Sequence, residues 1–94
     1  MKRAEVTIAN RLGLHARPSA ALTQLATRFS SDVFLSKGSR RVNGKSIMGV
    51  MMLAAARGTV IVVETDGADE DKALEAIVRL IESGFGEEMA DLGR

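Results

Sequence analysis

Cysteine, tryptophan and tyrosine are missing from this 94-residue chain, proline and histidine occur once each, and the aromatic residues are three phenylalanines. Without cysteine there is no disulfide framework and no thiolate chemistry, which suits a reducing cytoplasm. A single histidine and no carboxylate cluster of ligand spacing leave no metal site. Scarce aromatics and a formal net charge of +1 argue against a nucleic-acid binder, which would carry a basic stripe or stacking rings. No apolar run reaches membrane length, and Met1-Lys2-Arg3 runs into Glu5 rather than into an apolar signal core, so the reading is a soluble, cytoplasmic protein without membrane contact. The length allows one hydrophobic core and no cofactor-sized cavity, and no cofactor is expected.

What is present is first of all periodicity. Ala4, Val6 and Ile8 alternate with Glu5 and Thr7, the period of a half-buried strand. A loop follows over Asn10 to Leu14, then a helix from about Ala16 to Phe29 with Ala20, Leu22, Leu25, Ala26 and Phe29 on one face, ended by Ser30-Ser31-Asp32. Val33 to Ser36 and Arg40 to Val42 read as strands joined at Gly38-Ser39. Ser46 is a good N-cap for a short helix carrying Ile47, Val50, Met51 and Ala54 at helical spacing and ending near Arg57-Gly58. That helix is weakened by Gly49, at about 1 kcal/mol relative to Ala. Thr59 to Thr65 is a strand whose near-continuous apolar run suits an interior place in a sheet. Asp69, Glu70 and Asp71 favour the start of a last helix with Ala73, Leu74, Ile77, Val78, Leu80 and Ile81 on its apolar face. Gly84 suits the residue after that helix, and Phe85 folds back toward Leu80 or Ile81. The order β-α-β-β-α-β-α predicts an α+β fold with helices on one face of a mainly antiparallel sheet. Residues 1–85 form the domain and 86–94 a flexible tail.

Charge is divided along the chain. Arg11, Arg17, Arg28, Lys37, Arg40, Arg41 and Lys45 make the first half basic, and the second half is acidic from Asp66 onward. If the basic residues converge on one place, they steer an acidic protein partner toward it.

The most informative stretch is Leu12-Gly13-Leu14-His15-Ala16-Arg17-Pro18-Ser19-Ala20, which sets the one histidine immediately before a helix start. Pro18 fits the first turn, where its missing N–H removes a donor that lacks an intrahelical partner. A phosphoryl group on His15 would meet the backbone N–H groups of Ala16 and Arg17, the positive end of the helix dipole and the Arg17 guanidinium fork. Gly13 gives the backbone before it freedom for positive φ and close approach. Ser46 needs no role beyond capping, and Gly44-Lys45-Ser46 copies the end of a nucleotide-binding loop without its preceding glycine or its buried strand. Met48 and Met52 lie off the apolar stripe of the short helix, and flexible thioethers suit an adaptable contact surface.

Gly13-Leu14-His15-Ala16-Arg17-Pro18 and Gly44-Lys45-Ser46-Ile47-Met48-Gly49-Val50-Met51, at this separation, resemble the phosphorylation site and the regulatory-serine segment of the HPr family, the histidine phosphocarriers of the bacterial phosphoenolpyruvate-dependent phosphotransferase system. The resemblance covers residues 1 to 85. It implies an open-faced β-sandwich, a four-stranded antiparallel sheet of order 1-4-2-3 under three helices, which the pattern alone does not fix. It implies a stoichiometric phosphoryl carrier rather than an enzyme, monomeric, with His15 as phosphohistidine on Nδ1 and Arg17 as its charge partner. The implied partners are enzyme I as donor, enzyme IIA as acceptor and HPr kinase/phosphorylase at Ser46, with Ile47, Met48 and Met51 as a shared docking patch. Two alternatives stay open: the carrier of the nitrogen-related regulatory branch, which the Ser83-Gly84-Phe85-Gly86-Glu87-Glu88 ending resembles in some members, and a non-catalytic allosteric module acting through Ser46 and the short helix.

Overall fold

Alternation organises the sheet. In the computed structural model, which describes residues 1–86, the strands β1 (Lys2–Thr7), β2 (Asp32–Lys37), β3 (Arg40–Asn43) and β4 (Val60–Asp66) form one antiparallel sheet of order β1-β4-β2-β3. The register sets Ala4, Val63, Leu35 and Val42 side by side across all four strands, facing the core. The adjacent row, Glu5, Val62, Ser36 and Arg41, faces the other way because successive side chains point to opposite faces. The helices are α1 (Ala16–Ala26), α2 (Ile47–Met52) and α3 (Glu70–Glu82), followed by a 3-10 turn over Gly84–Gly86. Leu22, Val50, Leu53, Ile77 and Ile81 meet Val6, Val33, Leu35, Ile61 and Val63 in a single core. Sheet order, class and helix number are those that the family resemblance implied.

Two helix ends and the covering of one strand differ from the sequence reading. The first helix stops at Ala26, not Phe29, because the chain tightens into i→i−3 bonds, Arg28 N–H to Leu25 C=O and Phe29 N–H to Ala26 C=O. The short helix stops at Met52, well before Arg57-Gly58, because Leu53 and Ala54 bond in the same tightened way and Ala54 takes a left-handed φ of 51°. Strand β4 is interior, paired on both sides, yet its apolar run is not covered twice: Val60 is half exposed on the open face. After α3, Gly84 and Phe85 both take positive φ, and Phe85 packs against the core. Apart from Gly86, which closes the 3-10 turn, the tail expected over 86–94 lies outside the described residues.

Asp69 does more than start a helix. It is the N-cap residue of α3 but makes no side-chain cap bond; its carboxylate accepts instead from the Ser31 hydroxyl and from the backbone N–H groups of Ser30 and Ser31, both at 2.9 Å. These bonds, the Ser31 hydroxyl foremost and the Ser30 N–H next, hold its pKa down to about 2. They tie the start of α3 to the turn that leads from α1 into β2. A carboxyl with a depressed folded-state pKa contributes stability that is complete above its unfolded value, about 4, and is lost as pH falls through its folded value. Asp69→Asn therefore lowers the melting temperature at pH 7, and the gap from wild type, followed by thermal melts, narrows between about pH 4 and pH 2.

Candidate functional site

Residues Asn10 to His15 are held from three sides. The Asn10 side-chain amide, fully buried, donates to the Gly13 carbonyl at 2.8 Å, and the Gly13 N–H returns to the Asn10 carbonyl. The Leu14 N–H donates to the Ala55 carbonyl at 2.9 Å, fastening the loop to the segment that joins α2 to β4. From α1, the Ser19 hydroxyl donates to the Leu14 carbonyl at 3.3 Å. Gly13 is required twice over: its φ is +70°, and a Cβ built there would lie 2.4 Å from the Ala55 oxygen. His15, half-buried, is thus delivered with extended backbone to the N-cap position of α1.

The first intrahelical bond runs from the Ser19 N–H to the His15 carbonyl at 3.0 Å. Among the residues before it, Pro18 has no N–H, so Ala16 and Arg17 supply the two donors at this helix end. No acidic residue stands in the first turn to compete for them, and the His15 side chain makes no cap bond of its own. Pro18 is buried against the domain, whereas Ala16 and Arg17 are exposed. Among the described residues no ion pair or hydrogen bond engages the Arg17 guanidinium. A histidine at a helix N-cap, followed by two N–H donors and a guanidinium that no described residue engages, can hold a phosphoryl group and release it, because few donors are fixed in advance.

Ser46 caps α2, its hydroxyl oxygen accepting from the Gly49 N–H at 3.1 Å. Of the stripe Ile47, Val50, Met51 and Ala54, Val50 is buried and the other three are exposed. Ile47 is 43%, Met48 71%, Met51 40% and Met52 59% exposed, so α2 shows solvent an apolar surface out of proportion to its six residues. Four of the basic residues of the first half have partners elsewhere in the fold. Lys45 donates to the Phe29 carbonyl at 2.8 Å, closing the end of α1. Arg41 pairs with Glu64 and lies 3.8 Å over the Phe34 ring on the open sheet face, while Lys37 and Arg40 donate to the Ala54 and Met52 carbonyls at the end of α2. Sequence reasoning missed Asn10, Ser19 and Ala55 as parts of the site. A polar side chain in a loop and another in a first helical turn were the available signals for the first two; Ala55 gave none.

The family model described as the PTS HPr component phosphorylation site matches residues 2–83. This chain belongs to the HPr family. It is 58% identical over 87 residues to the phosphocarrier protein HPr of Neisseria meningitidis, covering 93% of this chain and 98% of that protein. Among solved structures, HPr from Thermoanaerobacter tengcongensis is 47% identical with a TM-score of 0.91, covering 95% of this chain and all of that one. The catabolite repression protein Crh of Bacillus subtilis, crystallised as a domain-swapped dimer, is 43% identical with a TM-score of 0.73 over 89% of this chain and 97% of that one. Membership of that family places the chain among the phosphocarrier proteins of the phosphotransferase system. No helix among the described residues is long and apolar enough to cross a membrane.

Gly13→Ala should be costly where a surface glycine is not. The left-handed backbone costs about 1–2 kcal/mol for a residue with a Cβ, and contact with Ala55 adds to it. Differential scanning calorimetry is expected to show a melting temperature lower by roughly 5–15 °C, with the Leu14 amide losing its slow hydrogen exchange.

Proposed function

We propose that this chain accepts a phosphoryl group on Nδ1 of His15 from enzyme I, which draws it from phosphoenolpyruvate, and passes it to an enzyme IIA protein or domain. The imidazole nitrogen attacks phosphorus as the bond to the enzyme I donor breaks; the second transfer reverses that exchange with the acceptor. The chain is acted on and returned, so it works stoichiometrically, in the cytoplasm and as a monomer. The observation that carries this reading is the placement of His15 at the N-cap of α1, against the two N–H donors of Ala16 and Arg17. Arg17 balances the charge of the phosphoryl oxygens. Residues 1–85 suffice for the role, with 86–94 a tail outside it.

Ser46 is the proposed regulatory site, a substrate for HPr kinase/phosphorylase. Phosphoserine brings about −1.5 to −2 charge to the start of α2, next to the exposed Ile47, Met48 and Met51 that we assign to partner docking. The added charge repels an acidic enzyme I surface and slows transfer to His15. A sugar-uptake carrier and the carrier of the nitrogen-related branch share this chemistry; their acceptors differ. A second reading, an allosteric module working through Ser46 and α2, is favoured by the likeness to Crh and by the apolar surface of α2.

Incubation with enzyme I, Mg²⁺ and phosphoenolpyruvate, read by intact mass and NMR, is expected to add one acid-labile phosphate to wild type and none to His15→Ala. No incorporation with several competent enzyme I proteins would favour the allosteric module. Two variants test the surface: Ser46→Asp is expected to slow phosphorylation by enzyme I roughly tenfold or more, a change of about 1.4 kcal/mol in barrier. Met48→Glu is expected to weaken partner binding, measured by titration calorimetry, while leaving the melting temperature within a few degrees of wild type.

A further inference from the structure

The β2–β3 hairpin lies outside the histidine loop, yet its side chains are committed to it at one remove. Lys37 and Arg40 are register partners on either side of the Gly38-Ser39 turn, so both project from the same face of the hairpin. Gly38 carries the positive φ, 59°, that this two-residue turn needs at its first position. Arg40 Nη1 donates to the Met52 carbonyl at 2.7 Å and Lys37 Nζ to the Ala54 carbonyl at 3.2 Å. Those two carbonyls belong to the end of α2, where backbone acceptors have no intrahelical donors. Ala54 is also the residue held at a φ of 51°, between the buried Leu53 and Ala55. A non-glycine residue keeps such a conformation only where its surroundings over-determine it. The next carbonyl along, that of Ala55, receives the Leu14 N–H and packs against Gly13.

We propose that Lys37 and Arg40 are positioning residues for the histidine: by capping Ala54 and Met52 they hold residues 53–55 in the one conformation that presents the Ala55 carbonyl to Leu14, and so fix His15 at the start of α1. The inference rests on the carrier reading. It assigns these two cations a role in the rate of phosphoryl transfer within the bound complex, distinct from attracting an acidic partner. A displacement of a reacting group by a fraction of an ångström slows transfer steeply, whereas a lost steering charge weakens encounter.

The test compares wild type with Lys37→Met, Arg40→Met, the double variant and Lys37→Arg, using full-length protein as the substrate of enzyme I. The Leu14 amide is followed by ¹H–¹⁵N NMR and hydrogen exchange in the same samples without enzyme I. The double variant is expected to stay folded, to lose protection at the Leu14 amide, and to show kcat reduced roughly tenfold with KM within about twofold of wild type; Lys37→Arg, which can still donate to Ala54, is expected to restore kcat. A raised, salt-dependent KM with unchanged kcat would make the pair docking charges and overturn the proposal. A lowered melting temperature with Leu14 protection and kcat both intact would overturn it as well. Failure of wild type to accept phosphate would remove the carrier reading instead, and the Leu14 amide would still report whether the hairpin holds the loop.

Discussion

One backbone hydrogen bond, from the Leu14 N–H to the Ala55 carbonyl, joins the two loops on which the site depends. It depends on Gly13 having no side chain, since a Cβ would lie 2.4 Å from the Ala55 oxygen. With that bond in place the chain reaches His15 in an extended conformation and turns at once into α1, whose first N–H groups are those of Ala16 and Arg17. Without it the loop before the histidine would be held only by Asn10 and by Ser19 of α1, with no tie to the segment that leads into β4.

The rest of the domain makes that bond durable. The segment from Leu53 to Ala55 is pinned by two buried side chains, Leu53 and Ala55, and by an alanine in a left-handed conformation, which locks its direction. The loop on the other side is braced by the Asn10 amide, which does inside the protein what an ordered water would otherwise do. At the opposite end, Asp69 fastens α3 to the turn before β2, and Lys45 closes the end of α1 on Phe29. Polar residues at helix ends thus hold the layers in register, while Val, Leu and Ile supply the burial between them.

Much of this was legible in the sequence, and what was not has a common cause. Alternation through Val6 and Ile8 and the stripe Ala73, Ile77 and Ile81 gave the first strand, the last helix and their inward faces, because periodicity is local. Ser46 as a cap and Gly13 as a position of special backbone freedom were readable for the same reason. The ends of α1 and α2 were misplaced because each tightens into i→i−3 bonds and is met there by a donor from elsewhere in the fold, Lys45 at Phe29, Arg40 at Met52 and Lys37 at Ala54. Of the basic residues that would steer a partner if they converged, Lys37, Arg40, Arg41 and Lys45 are engaged in contacts within the fold. The strand order was carried by the likeness to the family and not by the pattern.

The account's central claim is that the start of α1 is a phosphate cradle made of backbone. Its most direct test is the ¹H–¹⁵N spectrum of the protein before and after phosphorylation of His15. The account predicts that the Ala16 and Arg17 amide protons move downfield together as they begin to donate to the phosphoryl oxygens, while amides in β1 and β4 stay in place. Phosphohistidine that leaves the Ala16 and Arg17 resonances unmoved would show that the group is held by side chains or by solvent, and would contradict it.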